Sequence, residues 1–350
     1  MEIKTSHIVF LTPGFAKSET DSTTIPALQV YLKSLKLILP NTQLTLITFQ
    51  FPFSNKPYKW HGIDVIPLNG KNEYLKKLWT WKKALQVLNK IHLKNPITTV
   101  HSFWIGECSL IGSRFSKKHN IKHITTVMGQ DANLNNNYVK PLKNSNTKIV
   151  TLSKNHNTTL FKHYKLYSVI IPWNLDSTTF PELQESTIDI LGVGSLNEIK
   201  NYPVFIDIIA ELVNTYPKLK VEIIGEGKIR TKLEKLIKQK HLTHTITLTG
   251  ELPRVQVLNK MSQSTILLHT STYESFGYVF LEALYSGMQI VSFDVGIAQS
   301  IETWRICDYE KEMLETLKNI LNDQKTPNKQ RVSLAKDDSC IQSYLKLYNE

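Results

Sequence analysis

Short apolar runs alternate with longer amphipathic segments along the chain, and the alternation occurs in two successive blocks. Runs rich in β-branched and aromatic residues predict strands, and apolar residues repeated every three or four positions predict helices. In the first block the predicted strands are His7–Thr12, Leu44–Phe49, Ile63–Leu68, Ile97–Ser102, His123–Val127, Ile149–Leu152 and Val169–Ile171. The predicted helices there are Ile25–Leu39, Tyr74–Leu93, Gly106–His119 and Lys154–His163.

The second block restarts the pattern after a polar interval. Its predicted strands are Ile188–Val193, Leu219–Ile224, Thr245–Leu248, Ile266–His269 and Gln289–Phe293. Its predicted helices are Tyr202–Tyr216, Lys228–Lys240, Val255–Met261, Phe276–Gly287 and a tail helix near Leu334–Tyr348. Strands that alternate with helices favour parallel sheets with crossover helices. The sequence therefore predicts an α/β fold with two facing, doubly wound Rossmann-like domains.

The boundary between the two blocks lies where Pro172, Pro181 and polar residues interrupt the periodicity. We expect an N-terminal domain, a linker, a C-terminal domain and a C-terminal helix over residues 1–172, 173–187, 188–332 and 333–350. Whether the last helix crosses back to the N-terminal domain is left open. Ligands of such sheets bind beyond the carboxyl ends of the strands, so a cleft between the domains is the expected site.

The whole chain has a net charge of +12, and its positive charge is concentrated in the first half. Residues 1–172 hold 23 basic and 7 acidic residues, a balance of +16, whereas residues 173–350 hold 19 and 23, a balance of −4. A half with this balance attracts polyanions or an anionic membrane surface. A lysine-rich, solvated surface explains the same balance equally well.

The remaining composition is typical of a globular cytoplasmic protein. No apolar run approaches the ~20 residues of a membrane-spanning helix, and the short apolar run near the N-terminus is interpreted as a strand, not a signal peptide. The three cysteines, Cys108, Cys307 and Cys340, are far apart and fit neither a disulfide framework nor a metal site. We therefore expect a protein without a bound metal.

The most informative segment, residues 273–284, joins the strand Ile266–His269 to the next predicted helix. With Ser275 as the N-cap, the amides at the helix start would face outward and bind an anion such as a phosphate. The residues that would offer these amides are Phe276, Gly277 and Tyr278. This strand–helix junction is therefore a predicted phosphate site.

Glu282 is the only charged residue between Ser275 and Phe293. A buried carboxylate requires a partner, and a ribose diol is a suitable one. Glu274 precedes the helix, near where a sugar beyond the phosphates would lie. The alternative is a capped core helix whose Glu282 binds backbone or water.

Residues 188–302 resemble the family-4 retaining glycosyltransferases, which have two facing Rossmann-like domains in the GT-B arrangement. The resemblance rests on five short motifs: Gly192–Asn201, Ile223–Gly227, Thr249–Glu251, Glu274–Gly277 followed by Glu282, and Asp294–Gly296. It implies transfer of a hexose-type sugar from a nucleoside diphosphate sugar with retention at the anomeric carbon. It also implies that no cofactor and no metal ion takes part.

The resemblance assigns a role to each residue of the donor site. Glu274 contacts the donor sugar, Glu282 holds the ribose, and the amides of Phe276–Tyr278 bind the diphosphate. Lys200 matches a lysine that neutralises the diphosphate, whose negative charge grows as it leaves. The family commonly has a second phosphate clamp, an arginine, where this chain has Ser195. Gly250, Glu251 and Leu252 match the loop that lines the nucleobase.

The N-terminal half matches the family less closely. Gly14 follows the first strand, where the family has a glycine loop near the phosphates. His101 lies in a segment that resembles one with cleft histidines, although a histidine satisfied in the core is an equal alternative. We predict His101, Lys200 and Glu274 as catalytic residues. Asp131 lies in a segment similar to His-Gly-x-Asp, with Met128 in place of the histidine, and is predicted either to bind the acceptor or to cap a turn.

Lysines and aromatic residues are interleaved over residues 71–90. A basic helix with aromatic residues can lie at a lipid interface, and acceptor domains of related enzymes dock on membranes. Part of the helix must pack into its own domain, for which the predicted core residues are Leu75, Leu78, Leu85 and Leu88. We expect the remaining lysines and a tryptophan to contact anionic lipid on the inner face of the plasma membrane.

The sequence therefore predicts a hexosyltransferase that acts on a glycan or lipid-linked acceptor, in cell-surface polysaccharide (including lipopolysaccharide) or glycolipid synthesis. The identity of the sugar and of the base, uridine or guanosine, stays open. A nucleotide-sugar epimerase on the same architecture, a basic polyanion-binding protein and a transferase-like scaffold without catalysis are the alternatives. No recognised nucleic-acid module is present, so no nucleic-acid partner is expected.

Overall fold

The computed structural model describes residues 7–143, 145–323, 329–334 and 339–350. These residues divide into two compact units. The first unit runs to Asn174 and includes the C-terminal helix, and the second begins at Leu175. Each unit is a layered α/β structure on a mostly parallel sheet, as the alternation of strands and helices predicts.

The first unit is built on an eight-stranded sheet. Its strands are β1 (His7–Gly14), β2 (Gln43–Phe51), β3 (Tyr58–Trp60), β4 (Ile63–Pro67), β5 (Thr99–Phe103), β6 (Lys122–Thr126), β7 (Lys148–Thr151) and β8 (Val169–Ile170). Its helices before Asn174 are α1 (Pro26–Ile38), α2 (Lys77–Lys94), α3 (Glu107–His119), α4 (Val139–Lys143) and α5 (Lys154–Tyr164), with 3₁₀ turns at Tyr74–Lys76 and Gln130–Ala132. The strand order is β3-β4-β2-β1-β5-β6-β7-β8, and only β3 and β4 pair antiparallel.

The second unit is built on a six-stranded, fully parallel sheet of order β11-β10-β9-β12-β13-β14. Its strands are β9 (Ile188–Val193), β10 (Val221–Ile224), β11 (Ile246–Gly250), β12 (Ser264–His269), β13 (Gln289–Ser292) and β14 (Trp304–Ile306). Its helices are α6 (Tyr202–Leu212), α7 (Arg230–Gln239), α8 (Arg254–Ser262), α9 (Tyr278–Tyr285) and α10 (Glu310–Asn322), with 3₁₀ turns at Ser177–Thr179 and Glu198–Lys200. The C-terminal helix is α11 (Ser339–Asn349).

Alternate residues of the central strands face opposite helix layers. In the second unit Ile190 and Ile266 pack in one core cluster with residues of α6, α7 and α10. Their neighbours Leu191 and Leu267 pack in the other cluster with residues of α8 and α9. Because both faces of a parallel sheet are buried, its strands are mostly apolar, which is the pattern that the sequence predicts.

The first unit has the same two-layer arrangement. Val9 of β1 packs with residues of α2 and α3. On the opposite face, Phe10 stacks on Phe103 at a ring-centroid distance of 6.2 Å, and Tyr31 of α1 contacts Tyr344 of α11 at 4.9 Å. The C-terminal helix is therefore part of the layer that covers this face of the first sheet.

Four elements are absent from the predictions: β3, α4, β14 and α10. The strands β3 and β14 are three residues long, too short for a periodicity to be visible. Helix α10 buries Met313 and Leu317, whose spacing of four is a helical signal that the sequence analysis did not use. The tail helix begins at Ser339, and residues 335–338 of its predicted span lie outside the described residues.

Helix α2 differs from its predicted packing at its N-terminal end. Leu88 is fully buried and Leu85 is partly buried against the core, as expected. Leu75 and Leu78 are 93% and 73% exposed, so the prediction that they pack into the core is wrong. These two residues lie where a 3₁₀ turn leads into α2. None of the described helices combines the length and the hydropathy needed to cross a membrane.

Candidate active site

The loop between β12 and α9 carries the motif that the sequence analysis singled out. Helix α9 begins at Tyr278, and its N-cap is Gly277 with φ of 80°. The prediction of Ser275 as the N-cap is therefore wrong by two residues. Glycine is required at position 277 because side chains disfavour this φ and because a Cβ there would lie 2.5 Å from ring atoms of Phe280.

The later start of α9 moves the predicted anion site along the chain. The first turn of α9 begins at Tyr278, where the positive end of the helix dipole lies, and the amide of Phe280 in this turn donates to the carbonyl of Gly277 at 2.9 Å. Phe276 lies before the helix, where its carbonyl accepts a hydrogen bond from the amide of Ile297 at 2.9 Å. Gly296 supports this contact, since a Cβ at that position would lie 2.2 Å from the same carbonyl oxygen. The Asp294–Gly296 motif thus fixes the backbone that leads into α9.

Lys200 is held at the carboxyl end of β9 by its own turn. The side chain of Asn197 caps the 3₁₀ helix Glu198–Lys200 by accepting hydrogen bonds from the amides of Ile199 and Lys200 at 3.1 and 3.2 Å. A Cβ on Gly194 would lie 3.0 Å from Cε of Lys200, so the glycine leaves room for the lysine side chain. The turn and the glycine together direct Lys200 towards the loop after β12.

Glu274 accepts contacts from two basic groups, Lys200 and His269. Its Oε1 atom forms an ion pair with Nζ of Lys200 and lies 3.0 Å from Nε2 of His269. The side chains of Lys200, Glu274 and His269 are only 18%, 15% and 4% exposed. The structure therefore brings two predicted catalytic residues, Lys200 and Glu274, into one cluster.

The cluster holds Glu274 in its ionised form. Burial by itself raises the pKa of Glu274, but the hydrogen bond from His269 and the charge of Lys200 outweigh burial and lower the pKa to about 2. Burial lowers the pKa of His269, so its imidazole is neutral near pH 7. An ionised carboxylate only accepts hydrogen bonds, so His269 donates through Nε2–H.

The residues after His269 join the β12 loop to the Lys200 turn. The hydroxyl of Thr270 donates to the carbonyl of Lys200 at 3.0 Å, and the amide of Thr272 donates to the carbonyl of Ile199 at 2.9 Å. The Ser271 hydroxyl donates to the same Ile199 carbonyl at 3.1 Å. The sequence analysis did not select His269; the available signal was a run of polar residues at the carboxyl end of an apolar strand.

Glu282 has the strong partner that its burial requires, and that partner is Arg254. The Glu282 residue is 8% exposed, and its Oε1 atom forms an ion pair with Arg254 at the start of α8. The guanidinium also lies 5.5 Å from the centroid of the Tyr278 ring. The sequence analysis did not select Arg254, because a single arginine in a loop-to-helix transition carries no distinctive pattern.

The other predicted donor-site residues lie in neighbouring loops of the second unit. Ser195 is exposed, and its hydroxyl accepts a hydrogen bond from Nδ2 of Asn197 at 2.8 Å. Gly250 ends the edge strand β11, and its carbonyl accepts a hydrogen bond from the amide of Gly225 at 2.9 Å. Glu251 is exposed and Leu252 is partly buried. In the sheet, β10 separates this edge strand from β9.

Three predicted site residues lie in the first unit. Gly14 ends β1 and pairs with Phe51, and a Cβ there would make only an ordinary contact at 3.4 Å. Asp131 accepts hydrogen bonds from the amides of Ile105 and Met128 at 2.5 and 3.1 Å. Of the two predicted roles for Asp131, these contacts are those of the turn cap. Burial raises the pKa of the Asp131 carboxyl to about 7 despite these amides.

The structure contradicts the prediction of His101 as a catalytic residue. His101 is fully buried, and its ring nitrogens lie 2.6 Å from the hydroxyl of Tyr348 and 2.8 Å from that of Thr126. The Thr126 hydroxyl lies 2.8 Å from the hydroxyl of Tyr344. Burial lowers the pKa of His101 well below its usual value. His101 is thus a neutral core residue that links β5 to β6 and α11, which is the alternative that the sequence left open.

We expect His101→Phe to lower the free energy of unfolding without a direct effect on catalysis. The substitution removes one of two hydrogen-bond partners from each of two buried hydroxyls, because Thr126 keeps Tyr344 and Tyr348 keeps Tyr31. The loss of two hydrogen bonds costs about 1–3 kcal/mol of unfolding free energy. Denaturant unfolding measures this loss, with the exposed His244→Phe as the control. Unchanged stability together with lost turnover would contradict the structural role.

Among the described residues, no group of three or more His, Cys, Asp or Glu side chains is arranged to hold a metal ion. Two of the ion pairs of the second unit, both largely buried, lie along one helix, α9. The Lys200–Glu274 pair precedes α9, and the Arg254–Glu282 pair lies one turn inside it. A doubly wound unit with a lysine and a helix start at the carboxyl ends of its strands is typical of enzymes that bind phosphorylated nucleotides.

A segment of the second unit matches a known family of enzymes. Residues 178–336 match the sequence profile described as "Glycosyl transferases group 1". This segment is similar to that family, and the two Rossmann-like units of the chain have the GT-B fold.

Two curated relatives each match somewhat more than a third of the chain. One component of the human phosphatidylinositol N-acetylglucosaminyltransferase is 35% identical over 130 residues, which cover 36% of this chain and 27% of that protein. The GtfA component of the UDP-N-acetylglucosamine–peptide N-acetylglucosaminyltransferase of Streptococcus parasanguinis is 31% identical over 134 residues, which cover 38% and 26%. The matched segments therefore span about a quarter of the length of these two relatives.

Solved structures match nearly the whole chain. Sucrose-phosphate synthase from Thermosynechococcus elongatus has a TM-score of 0.74 at 14% identity, with 98% of this chain and 95% of that chain covered. A glycosyltransferase from Rickettsia africae has a TM-score of 0.72 at 16% identity, with 99% and 98% covered. At these identities the similarity establishes the shared fold.

Proposed function

We propose that the chain is a retaining glycosyltransferase that moves a hexose-type sugar from a nucleoside diphosphate to a glycan or lipid-linked acceptor. The observation that carries the proposal is the cluster of Lys200, Glu274 and His269 directly before α9. A fixed ammonium beside the first turn of a helix suits a diphosphate. An ionised carboxylate next to it suits the hydroxyls of the attached sugar.

The same groups supply the chemistry of transfer. The diphosphate gains negative charge as its bond to the sugar breaks, and Lys200 with the first-turn amides of α9 stabilises that charge. The anionic Glu274 stabilises the oxocarbenium-like sugar. The departing phosphate accepts the proton of the acceptor hydroxyl, which attacks from the face that the phosphate leaves. The anomeric configuration is retained because the acceptor attacks the face that the phosphate leaves. No protein nucleophile is needed, and the ammonium group of Lys200 takes the place of a metal ion.

The names of the relatives suggest the first donor to test. The human protein, the Streptococcus protein and a Staphylococcus aureus poly(ribitol-phosphate) transferase are all described as N-acetylglucosaminyltransferases or components of them. Their names also include lipid, peptide and polyol-phosphate acceptors. We therefore place this chain in cell-surface polysaccharide or glycolipid synthesis, with uridine diphosphate N-acetylglucosamine as the first donor.

A thermal-shift screen of uridine and guanosine diphosphates and their sugars tests donor binding, since a ligand of the native state raises the melting temperature. NMR of the product of a positive donor then reports the anomeric configuration. We expect retention, and equal turnover with and without a chelator. No shift with any nucleotide would contradict the proposal, and conversion of the donor without an acceptor would instead favour an epimerase.

A second proposal concerns membrane contact through the first unit. Four exposed apolar side chains form what we term the α2 tip, and their exposed fractions are 85% for Tyr74, 93% for Leu75, 73% for Leu78 and 56% for Trp79. Lysines surround the tip, and Nζ of Lys83 lies 5.0 Å from the Trp79 ring centroid. We propose that this tip inserts into the cytoplasmic face of an anionic bilayer, where apolar burial and lysine attraction act together.

Co-sedimentation with anionic and neutral vesicles tests the membrane proposal. We expect binding to anionic vesicles that salt weakens, and a loss of about tenfold for the pair Leu75→Ser and Leu78→Ser, because two apolar side chains no longer enter the interface. Leu93→Ser is the matched control, since Leu93 is 86% exposed near the other end of α2. Equal binding of the wild type to both lipids would contradict the electrostatic part.

A further inference from the structure

We infer that Arg254 is a positioning residue of the donor site: it fixes the Glu282 carboxylate and cancels its charge, so that a ribose and a diphosphate can bind within one turn of α9. The inference deepens the proposed function and rests on it. Glu282 has a ligand to hold only if a nucleoside diphosphate binds at α9.

The first observation is the burial of the pair. The side chains of Arg254 and Glu282 are 12% and 11% exposed, and they join the first residue of α8 to the middle of α9. The guanidinium lies 5.5 Å from the ring centroid of Tyr278, the first residue of α9. Arg254 therefore contacts α9 at its first residue and again one turn later.

The second observation is the sign of the charges along α9. A cation near a helix N-terminus is opposed by the helix dipole, so the start of α9 does not by itself explain an arginine beside it. A carboxylate one turn from a diphosphate would repel that diphosphate, because residues four apart on a helix are ~5–6 Å apart. The pairing of Arg254 with Glu282 accounts for both observations. The arginine neutralises the carboxylate, and the pair adds no net charge to the diphosphate site.

The third observation is that the Glu282 carboxylate can accept further hydrogen bonds while it is paired with Arg254. One guanidinium nitrogen of Arg254 pairs with Oε1 of Glu282, whereas an ionised carboxylate offers about four acceptor positions on two oxygens. Glu282 can therefore stay paired and still accept hydrogen bonds from two neighbouring ribose hydroxyls. A neutral carboxyl would lose part of that capacity, because one oxygen would then carry a proton.

Ionisation of Glu282 depends on this pairing. Burial raises the pKa of Glu282, and the charge of Arg254 and its hydrogen bond oppose the rise. The charged and titratable groups that face the pair are Tyr278 on α9 and Asp176 in the segment before β9, both of which interact with Arg254. Without Arg254, a larger fraction of Glu282 is protonated at neutral pH.

The test compares Arg254→Met and Arg254→Lys with a matched control. Lys260→Met is the control because it removes one positive charge from the same helix, where Lys260 pairs with Glu222 at 2.8 Å. We expect Arg254→Met to raise the donor KM by about tenfold or more with a smaller change in kcat, since the pair acts on binding. Arg254→Lys should recover most of the loss, and the control should keep the wild-type KM.

A double-mutant cycle with Glu282→Gln separates positioning from direct contact with the diphosphate. If Arg254 acts through Glu282, Arg254→Met changes KM by less than about twofold in the Glu282→Gln background. This double variant has no unpaired buried charge, so it also keeps the test usable if Arg254→Met alone fails to fold. A loss of equal size in both backgrounds would overturn the inference.

The pH dependence of the donor KM distinguishes a positioning role from a purely structural ion pair, which would leave that dependence unchanged. The ratio of donor KM between Arg254→Met and the wild type should vary with pH, because without Arg254 nothing holds Glu282 ionised against the effect of burial. A constant ratio would count against the inference. If the wild type itself binds no nucleoside diphosphate, the proposed function fails; if it binds and Arg254→Met binds equally well, only the role of Arg254 fails.

Discussion

Lys200→Met lowers kcat/KM for sugar transfer by about 10²- to 10³-fold, the loss expected when one fixed group that stabilises a developing anion is removed. Lys200 is placed by the cap of Asn197 and by the space that Gly194 leaves, and it points to the loop that precedes α9. Methionine keeps the length of the side chain but carries no charge. The leaving diphosphate would then depend on the helix amides alone.

The control for this substitution is Lys232→Met, which removes the same charge from an exposed pair. Nζ of Lys232 lies 3.6 Å from Oε1 of Glu198, and the two side chains are 61% and 72% exposed. Because exposed pairs contribute little, turnover should stay near the wild-type value. Steady-state kinetics on folded protein measures both variants, and equal activity of Lys200→Met and Lys232→Met would remove Lys200 from the mechanism.

Glu274→Gln lowers kcat by about 10²-fold and changes stability in a pH-dependent way. The amide is neutral, so it neither stabilises a positive sugar nor holds Lys200 by charge. Glu315→Gln is the control, since Glu315 is 58% exposed and pairs with Lys318 at 3.1 Å. A Glu274→Gln enzyme with full turnover would contradict the assigned role.

The acid dependence of stability follows from the depressed pKa of Glu274. A carboxyl with a folded-state pKa of about 2 and an ordinary value of 4.5 stabilises the fold above pH 4.5, and the contribution is lost as the pH falls through 2. We therefore expect the difference in melting temperature between wild type and Glu274→Gln to be largest near neutral pH. It should shrink from about pH 5 to about pH 3, and a constant difference would contradict the ionised pair.

Most of the fold follows from the sequence because its strands are buried on both faces. Strands such as β1 and β9 consist mostly of apolar residues. The helices between the strands show the different, three-to-four-residue spacing of apolar positions. The short strands β3 and β14 have only three residues, so their pairing depends on neighbours far along the chain. A local pattern cannot contain that information.

Residues of the candidate site could be predicted from the sequence where they lie in one continuous segment. They could not be predicted where two side chains that pair come from different helices or strands. Glu274, Gly277 and Glu282 lie in one segment, so a single motif pointed to all three. Arg254 reaches Glu282 from another helix, and only the packing of α8 on α9 brings them together. His101 illustrates the opposite case, because no local feature of its segment reveals the hydroxyls of α11 that surround it.

A crystal structure of the protein with uridine diphosphate N-acetylglucosamine tests the central claim most directly. The account predicts the diphosphate within hydrogen-bond distance of Nζ of Lys200 and of the first-turn amides of α9. It also predicts the sugar beside Glu274 and the ribose hydroxyls on Glu282, with Arg254 still paired to that carboxylate. A nucleotide bound elsewhere, with the Lys200–Glu274 pair and the start of α9 untouched, would contradict it.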